Sequence, residues 1–328
     1  MKAAFRYLSG LTSLTLTLTL SACGPAEQPR AEAALPAPSL VAAFDPMKGE
    51  FAEGLTLGKG GSDAYAATAT GAILKIALAD GSRSVYGNLP APPSDGSVYV
   101  LGLAFDSSAN LYVAVTSFGP KYKTGIYKVA PGGGAAKLFA SGSGMMFPNG
   151  ISVDSDDSLF VSDATGKIFK ISKAGKIATW FAQPAFTAGD NSSPCKTGYN
   201  IGANGIALTS DALYFSNSDR AALVKVGRKP DGSAGDATFL AASNCSTLRG
   251  ADGIALGPDG KIYVASNQQG AVLAVAQDGS VSTVASGDLL DAFPSSVVFS
   301  AADEALYVVN AAFGEKKTPR LVKVPVGM

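Results

Sequence analysis

Histidine is missing altogether from the 328 residues. That absence excludes a Ser-His-Asp triad, a His-based dyad and the usual His-rich zinc sites. Any hydrolytic chemistry here falls to carboxylates, amides, water and a bound ion. Excess charge is missing too. The 26 basic and 26 acidic residues balance, and without Lys2 and Arg6 the balance tips slightly acidic. With no basic stripe, nucleic acid and anionic membrane surfaces are excluded as partners. Beyond the N-terminal end, no run is long and apolar enough to span a bilayer. Cysteine is scarce, at three residues.

The N-terminal end carries its own message. Lys2 and Arg6 precede an uncharged stretch from Leu8 to Leu20. A basic n-region before a short apolar h-region reads as a secretory signal, residues 1–22. The segment ends in Leu20-Ser21-Ala22-Cys23-Gly24, which resembles the lipobox of bacterial lipoproteins. The resemblance implies a lipid on Cys23 and a location in the bacterial cell envelope. Gly24 in place of Asp implies an outer-membrane anchor facing the periplasm. Residues 23–37, rich in Pro, Ala and Glu without an apolar period, read as a tether.

The remainder, 38–328, repeats itself. ADGIAL (251–256) returns as ANGIAL (203–208) and PNGISV (148–153). The same position recurs at Glu53, Leu101, Asn149, Asn204, Asp252 and Ser295, in steps of 48, 48, 55, 48 and 43 residues. A second apolar run follows each phrase, as in NLYVAVTS, SLFVSDAT and KIYVASNQ. A third follows with a Lys-Ile/Val ending, then a turn and a fourth strand. Four short strands per unit, punctuated by Gly, Asp and Pro, predict propeller blades. Six units predict an all-β, six-bladed β-propeller. The sixth unit lacks a fourth strand, and PSLVAAF (38–44) has the character to supply it and close the ring.

In a propeller each phrase opens an innermost strand, so its polar residue faces the mouth of the central channel. Asn-Gly and Asp-Gly are also good turn dipeptides whose side chains cap their own backbone. That alternative covers any one of them. It covers less well the carboxylates and amides at four of the six positions. Two converging carboxylates without a cation would drive one to protonate. All the candidate donors are oxygens, which suits a hard ion.

In this order around six blades, Glu53-Gly54, Asn149-Gly150, Asn204-Gly205-Ile206 and Asp252-Gly253-Ile254 resemble the regucalcin/gluconolactonase/luciferin-regenerating-enzyme family. The resemblance implies that Glu53, Asn204 and Asp252 hold one divalent cation, Ca²⁺ ahead of Mg²⁺, Mn²⁺ or Zn²⁺. It implies that Asn149 holds substrate or bound water, and that Asp252 takes a proton from a water attacking a lactone or related ester. The implied partner is a small molecule, the membrane is met through the N-terminal lipid only, and the chain is expected to be monomeric. Several positions depart from the family, among them Leu55-Thr56-Leu57 in place of a Pro and an aromatic, and Gly150 in place of an acidic residue. Phe147 stands where gluconolactonases place an Arg, and their downstream sugar-contacting Glu has no counterpart in SLFVSDATGKIF. A less polar substrate is therefore equally compatible. The other reading is a non-catalytic, NHL-like propeller scaffold that binds a protein or glycan.

Cys195 and Cys245 each lie shortly before an innermost strand of adjacent blades, on the face of the mouth. In an exported chain they predict a disulfide. Cys195 sits in the longest insertion between blades, 184–203, which overhangs the mouth and is a candidate lid or selecting loop. Asp163, Asn217, Asn267 and Asn310 end second strands on the same face. They either cap those ends or extend a polar pocket. VDSDDS (153–158) lacks the Gly and final Glu of a calcium loop, and APGGGA (130–135) precedes no helix, so both read as hairpins.

Overall fold

A computed structural model describes residues 35–90, 98–120, 122–242, 245–313 and 317–327. The signal, Cys23 and most of the tether therefore lie outside the described residues. No helix among the described residues is long and apolar enough to cross a membrane.

The second strand of each unit shows why the chain folds as it does. Leu213, Tyr214 and Phe215 lie side by side on one strand and all are buried. A strand buried on both faces reads as a continuous apolar run, because a neighbouring blade covers each side. The fourth strands, such as Arg83–Asn88 and Ala234–Ala241, face solvent and bury one residue each. Hydrophobic residues therefore collect in slabs between successive blades. Tyr214, Leu223 and Ile254 share one slab with Val264 and Leu273, while Ala42, Phe44 and Leu55 share another with Tyr307 and Leu321.

Six sheets result, each with four antiparallel strands, one of them extended by a short fifth strand. Their innermost strands are Ala52–Leu57, Val98–Phe105, Pro148–Val153, Ala203–Leu208, Ala251–Leu256 and Pro294–Ser300. Each packs against the next around a ring, the last returning to the first. This is the expected six-bladed propeller. The expected closure is present as well. Ser39–Ala43 pairs antiparallel with Arg320–Pro325 and supplies the sixth blade's outer strand.

The Gly-rich hairpin does more than turn. Gly134–Ala135 adds as a short parallel strand to Arg83–Asn88, clasping blade two to blade one. At Gly133, a Cβ would stand 2.1 Å from the carbonyl oxygen of Tyr86, so the clasp requires glycine. VDSDDS is a turn, as expected. Asp157 accepts the backbone N–H of Ser107 at 2.8 Å and its hydroxyl at 2.6 Å, tying blade three to blade two.

Candidate functional site at the channel mouth

Glycine follows five of the six ring residues, all but Ser295, and it is a packing requirement. A Cβ on Gly54 would lie 2.1 Å from the carbonyl oxygen of Leu101 in the next blade. On Gly102 it would lie 2.4 Å from Asn149 O, on Gly150 2.7 Å from Asn204 O, and on Gly205 2.3 Å from Asp252 O. The innermost strands thus approach one another backbone to backbone. Second-strand hydroxyls bridge the same gap. Ser216 donates to Asp252 O at 2.6 Å and Ser162 donates to Asn204 O. Ser295, on the innermost strand itself, donates to Glu53 O at 3.0 Å and so bonds blade six to blade one.

At the ring position every innermost strand also breaks register with its partner, between Ala52 and Gly54, Pro148 and Ile151, Ala203 and Ile206, and Ala251 and Ile254 among them. A β-bulge re-aims a side chain that regular pairing would send into a sheet face. The Asn-Gly and Asp-Gly pairs therefore sit within strands at bulges, and the turn-dipeptide reading does not apply to them.

The bulges bring Glu53, Asn149, Asn204 and Asp252 together. All four are buried, with exposures of 7%, 7%, 5% and 4%. They line two cavities at once, which makes them the partition between the channel below and a mouth cavity of about 430 Å³ above. Leu101 and Ser295 complete the ring without charge. Asn267 donates its amide to Asp252 Oδ2 at 2.9 Å, and Asn204 donates its own to Ser218 Oγ at 3.0 Å. What remains is informative. Oδ1 of Asn204 and Oδ1 of Asp252 are buried and have no hydrogen-bond partner among the described residues.

Electrostatics follow from that enclosure. Burial raises the Glu53 carboxyl well above its ordinary range, and the neighbouring charge of Asp252 raises it further. Burial pushes Asp252 up to about 7, against the opposing pull of the Asn267 and Asn204 amides and the Gly253 N–H. Two carboxylates in this setting share a site that favours protons or a cation. No three Asp, Glu, Cys or His side chains converge among the described residues. The donor set is instead two carboxylates and amide oxygens, which fits a hard divalent ion and does not fit a soft one.

Of the second-strand residues, Asp163 and Asn217 prove to be caps. Asp163 accepts the N–H groups of Met146 and Phe147 at 2.7 and 2.9 Å, and Asn217 donates to Phe186 O and Ala188 O. Asn267 instead extends the polar pocket, and Gly250 makes room for it. A Cβ on Gly250 would meet Asn267 Oδ1 at 2.1 Å. Asn310 is fully buried with neither amide atom partnered among the described residues.

Cys195 and Cys245 form the expected disulfide, with 5.0 Å between their Cα atoms. The 184–203 insertion reaches the mouth, as expected, through Thr197, Tyr199 and Ile201. Buried Asp219 holds it down by accepting the Thr197 N–H at 2.8 Å and hydroxyl at 2.7 Å. The loop is fastened at both the disulfide and Asp219.

An aromatic collar was not foreseen. Tyr99, Phe118 and Phe147 stand with ring centroids 5.9 to 6.3 Å apart. Phe293 and Phe313 face them from blade six, 6.2 Å apart. The signal lay in the repeat itself. Two residues before each ring position stand Phe51, Tyr99, Phe147, Gly202, Gly250 and Phe293.

Residues 188–312 match the SMP-30/Gluconolactonase/LRE-like region. No curated protein matches the chain. Among solved structures, a gluconolactonase from Xanthomonas campestris is 16% identical, covering 87% of this chain and 88% of that one, with a TM-score of 0.62. Regucalcin from Agrobacterium tumefaciens, described as a calcium-binding protein, is 19% identical over 84% and 90%, with a TM-score of 0.61. An auxiliary nutrient binding protein from Bacteroides thetaiotaomicron is 11% identical over 87% and 75%, with a TM-score of 0.65. At these identities the likeness establishes the fold. The chain is a six-bladed propeller whose residues 188–312, Asn204 and Asp252 among them, are similar to the SMP-30/Gluconolactonase/LRE-like region.

Proposed function

We propose that this protein is a cation-dependent hydrolase of a lactone or related ester, with its reaction centre at the channel mouth. One observation carries the reading: two unpartnered side-chain oxygens, on Asn204 and Asp252, buried beside the carboxyl of Glu53. Glu53, Asn204 and Asp252 would hold the ion. Ca²⁺ is the first choice because all donors are oxygen, and the structurally similar regucalcin is described as calcium-binding. When bound, the cation supplies a Lewis acid for a carbonyl oxygen.

The chain's own residues do the rest. Asp252, which a bound cation would keep ionised, takes a proton from the attacking water. The Asn267 amide fixes the plane of that carboxylate through Oδ2. Asn149, on the floor of the same cavity, orients the substrate's acyl group. The buried partition keeps bulk water from entering through the channel.

The test is a thermal-shift series with Ca²⁺, Mg²⁺, Mn²⁺, Zn²⁺ and EDTA on the wild type and Asp252→Ala, followed by a lactone-hydrolysis panel on both. A cation-dependent rise in melting temperature and hydrolysis, both lost in the variant, are expected. No shift with any cation would leave the second reading, a non-catalytic propeller presenting its mouth to a protein or glycan. Exposed Phe118, Met146 and Tyr199 favour that reading. The same proposal sets the propeller in the bacterial envelope, tethered through a lipid on Cys23. Radiolabelled fatty acid should enter the wild type and not Cys23→Ala.

A further inference from the structure

The walls of the mouth cavity differ from its floor. The floor is the polar partition of Glu53, Asn149, Asn204 and Asp252. The walls are Tyr99, Phe118, Phe147, Tyr199, Phe293 and Phe313. Among the described residues, no Lys or Arg lines this cavity, and its only carboxylates are the two of the floor. Thr197, Ser218, Asn267 and Gln268, with the hydroxyls of Tyr99 and Tyr199, are the polar exceptions among the described residues.

Several features show that the collar is built for a ligand. Phe118 and Tyr199 are 67% and 79% exposed, against the usual rule that aromatic surface is covered. The Tyr99–Phe118–Phe147 triangle is held edge to face, with interplanar angles of 82° at Phe118. Its rings are fixed against one another and still offer surface to the cavity. Phe293 has a φ of 63°, a left-handed conformation that a bulky side chain rarely adopts. It is held there by the Ala311 N–H, which donates to its carbonyl at 2.9 Å. Strain of this kind persists where a side chain must be aimed. Tyr199 is carried by the loop that Cys195 and Asp219 fasten down, so its ring is presented without a disordered lid.

We propose that the cavity takes a lactone or ester with an aromatic or alkyl body and a single polar acyl end, in preference to a polyhydroxylated sugar lactone. This inference rests on the hydrolase reading for the fate of the acyl group, and on the collar for the choice of body. The acyl end meets the floor, where the unpartnered oxygens and Asn149 lie. The body lies among the six rings and displaces water from apolar surface. Rings alone would tolerate the apolar face of a sugar, but sugar sites add side chains that satisfy the hydroxyls. Here a hydroxyl turned toward the described rings loses water and meets mostly apolar surface, with only those few polar groups to replace it. A volume of about 430 Å³ accommodates a bicyclic molecule or a medium-length chain.

The test uses non-hydrolysable and hydrolysable probes in parallel. Binding is measured by calorimetry with 3,4-dihydro-2-quinolinone, the lactam of a benzo-fused δ-lactone, and with gluconolactam. Hydrolysis is measured with dihydrocoumarin and glucono-δ-lactone. The benzo-fused lactam should bind at least about tenfold more tightly than gluconolactam, the scale on which apolar pockets discriminate. Phe118→Ser, a change at an exposed position that does not threaten the fold, should weaken it about tenfold, and Phe147→Arg should narrow or invert the preference. Equal or tighter binding of gluconolactam would overturn the inference, as would aryl binding that ignores both variants. Hydrolysis of glucono-δ-lactone without aryl preference would overturn it and spare the hydrolase reading. Aryl binding through the collar with neither lactone cleaved would uphold it and remove the hydrolase reading.

Discussion

Asn267 donates its side-chain amide to Oδ2 of Asp252 at 2.9 Å, while Oδ1 of the same carboxylate is buried with no partner. One oxygen is steadied so that the other is offered. Gly250 secures the arrangement, since any side chain there would strike Asn267 Oδ1.

The first prediction concerns this pair. Partners of a metal-ligating carboxylate orient it, and losing one typically costs about 10–100-fold in affinity. Asn267→Ala should weaken divalent-cation binding by that order and move the Asp252 midpoint above about 7, because the amide's pull is gone. Calorimetric cation titrations at several pH values check both effects. Unchanged affinity would mean that Asn267 only ends its strand.

Glu53 and Asp252 also set the pH response. Both carboxyls are raised in the folded chain, so folding favours their protonated forms. Their contribution to stability is fully present below the unfolded carboxylate range and is lost as pH rises through about 7. In EDTA the melting temperature should therefore fall between about pH 4 and 7 as this pair ionises. Saturating cation should flatten or reverse that fall, since it favours the ionised pair. Parallel pH-dependent curves with and without cation would show that no ion meets these carboxylates.

Much of this was legible in the sequence because a propeller repeats its instructions. The recurrence of Asn204-Gly205-Ile206 and Asp252-Gly253-Ile254 announces blades, and the missing strand of the last unit announces closure by residues 38–44. The bulge was not legible. Asn-Gly is a good turn dipeptide, and only the neighbouring backbone, 2.3 Å from a Cβ at Gly205, reveals that this glycine serves packing. The collar escaped for a different reason. Tyr99, Phe147 and Phe293 look like strand-entry core residues, and only the assembled ring turns them toward one cavity.

That packing yields the next prediction. A methyl group at Gly205 cannot coexist with Asp252 O, and the obstacle is backbone, which cannot swing aside. Gly205→Ala should force blades four and five apart, weaken the Ser216–Asp252 bridge, and cost about 1–3 kcal/mol in the manner of overpacked cores. Cation affinity should fall with it, because the same backbone aims the Asp252 side chain. Gly232→Ala is the control: a Cβ there meets nothing within 4 Å, though its φ of 80° carries a smaller backbone penalty. Urea unfolding of the two variants should rank Gly205→Ala as clearly the less stable.

The disulfide supplies the last. Cys195 and Cys245 are 50 residues apart, and Cys195 is packed with Tyr214 and Leu248 between blades four and five. On a chain-entropy account, opening a loop of that length costs about 4 kcal/mol, much of it through the unfolded state. Asp219 holds Thr197 independently of the sulfurs, so the loop keeps a second fastening when they part. Replacing both cysteines by Ala should therefore lower the unfolding midpoint substantially while changing cation affinity little. Wild type under reductant should behave alike. If cation binding is lost together with stability, Asp219 does not suffice to hold the insertion, and the disulfide is what positions the mouth.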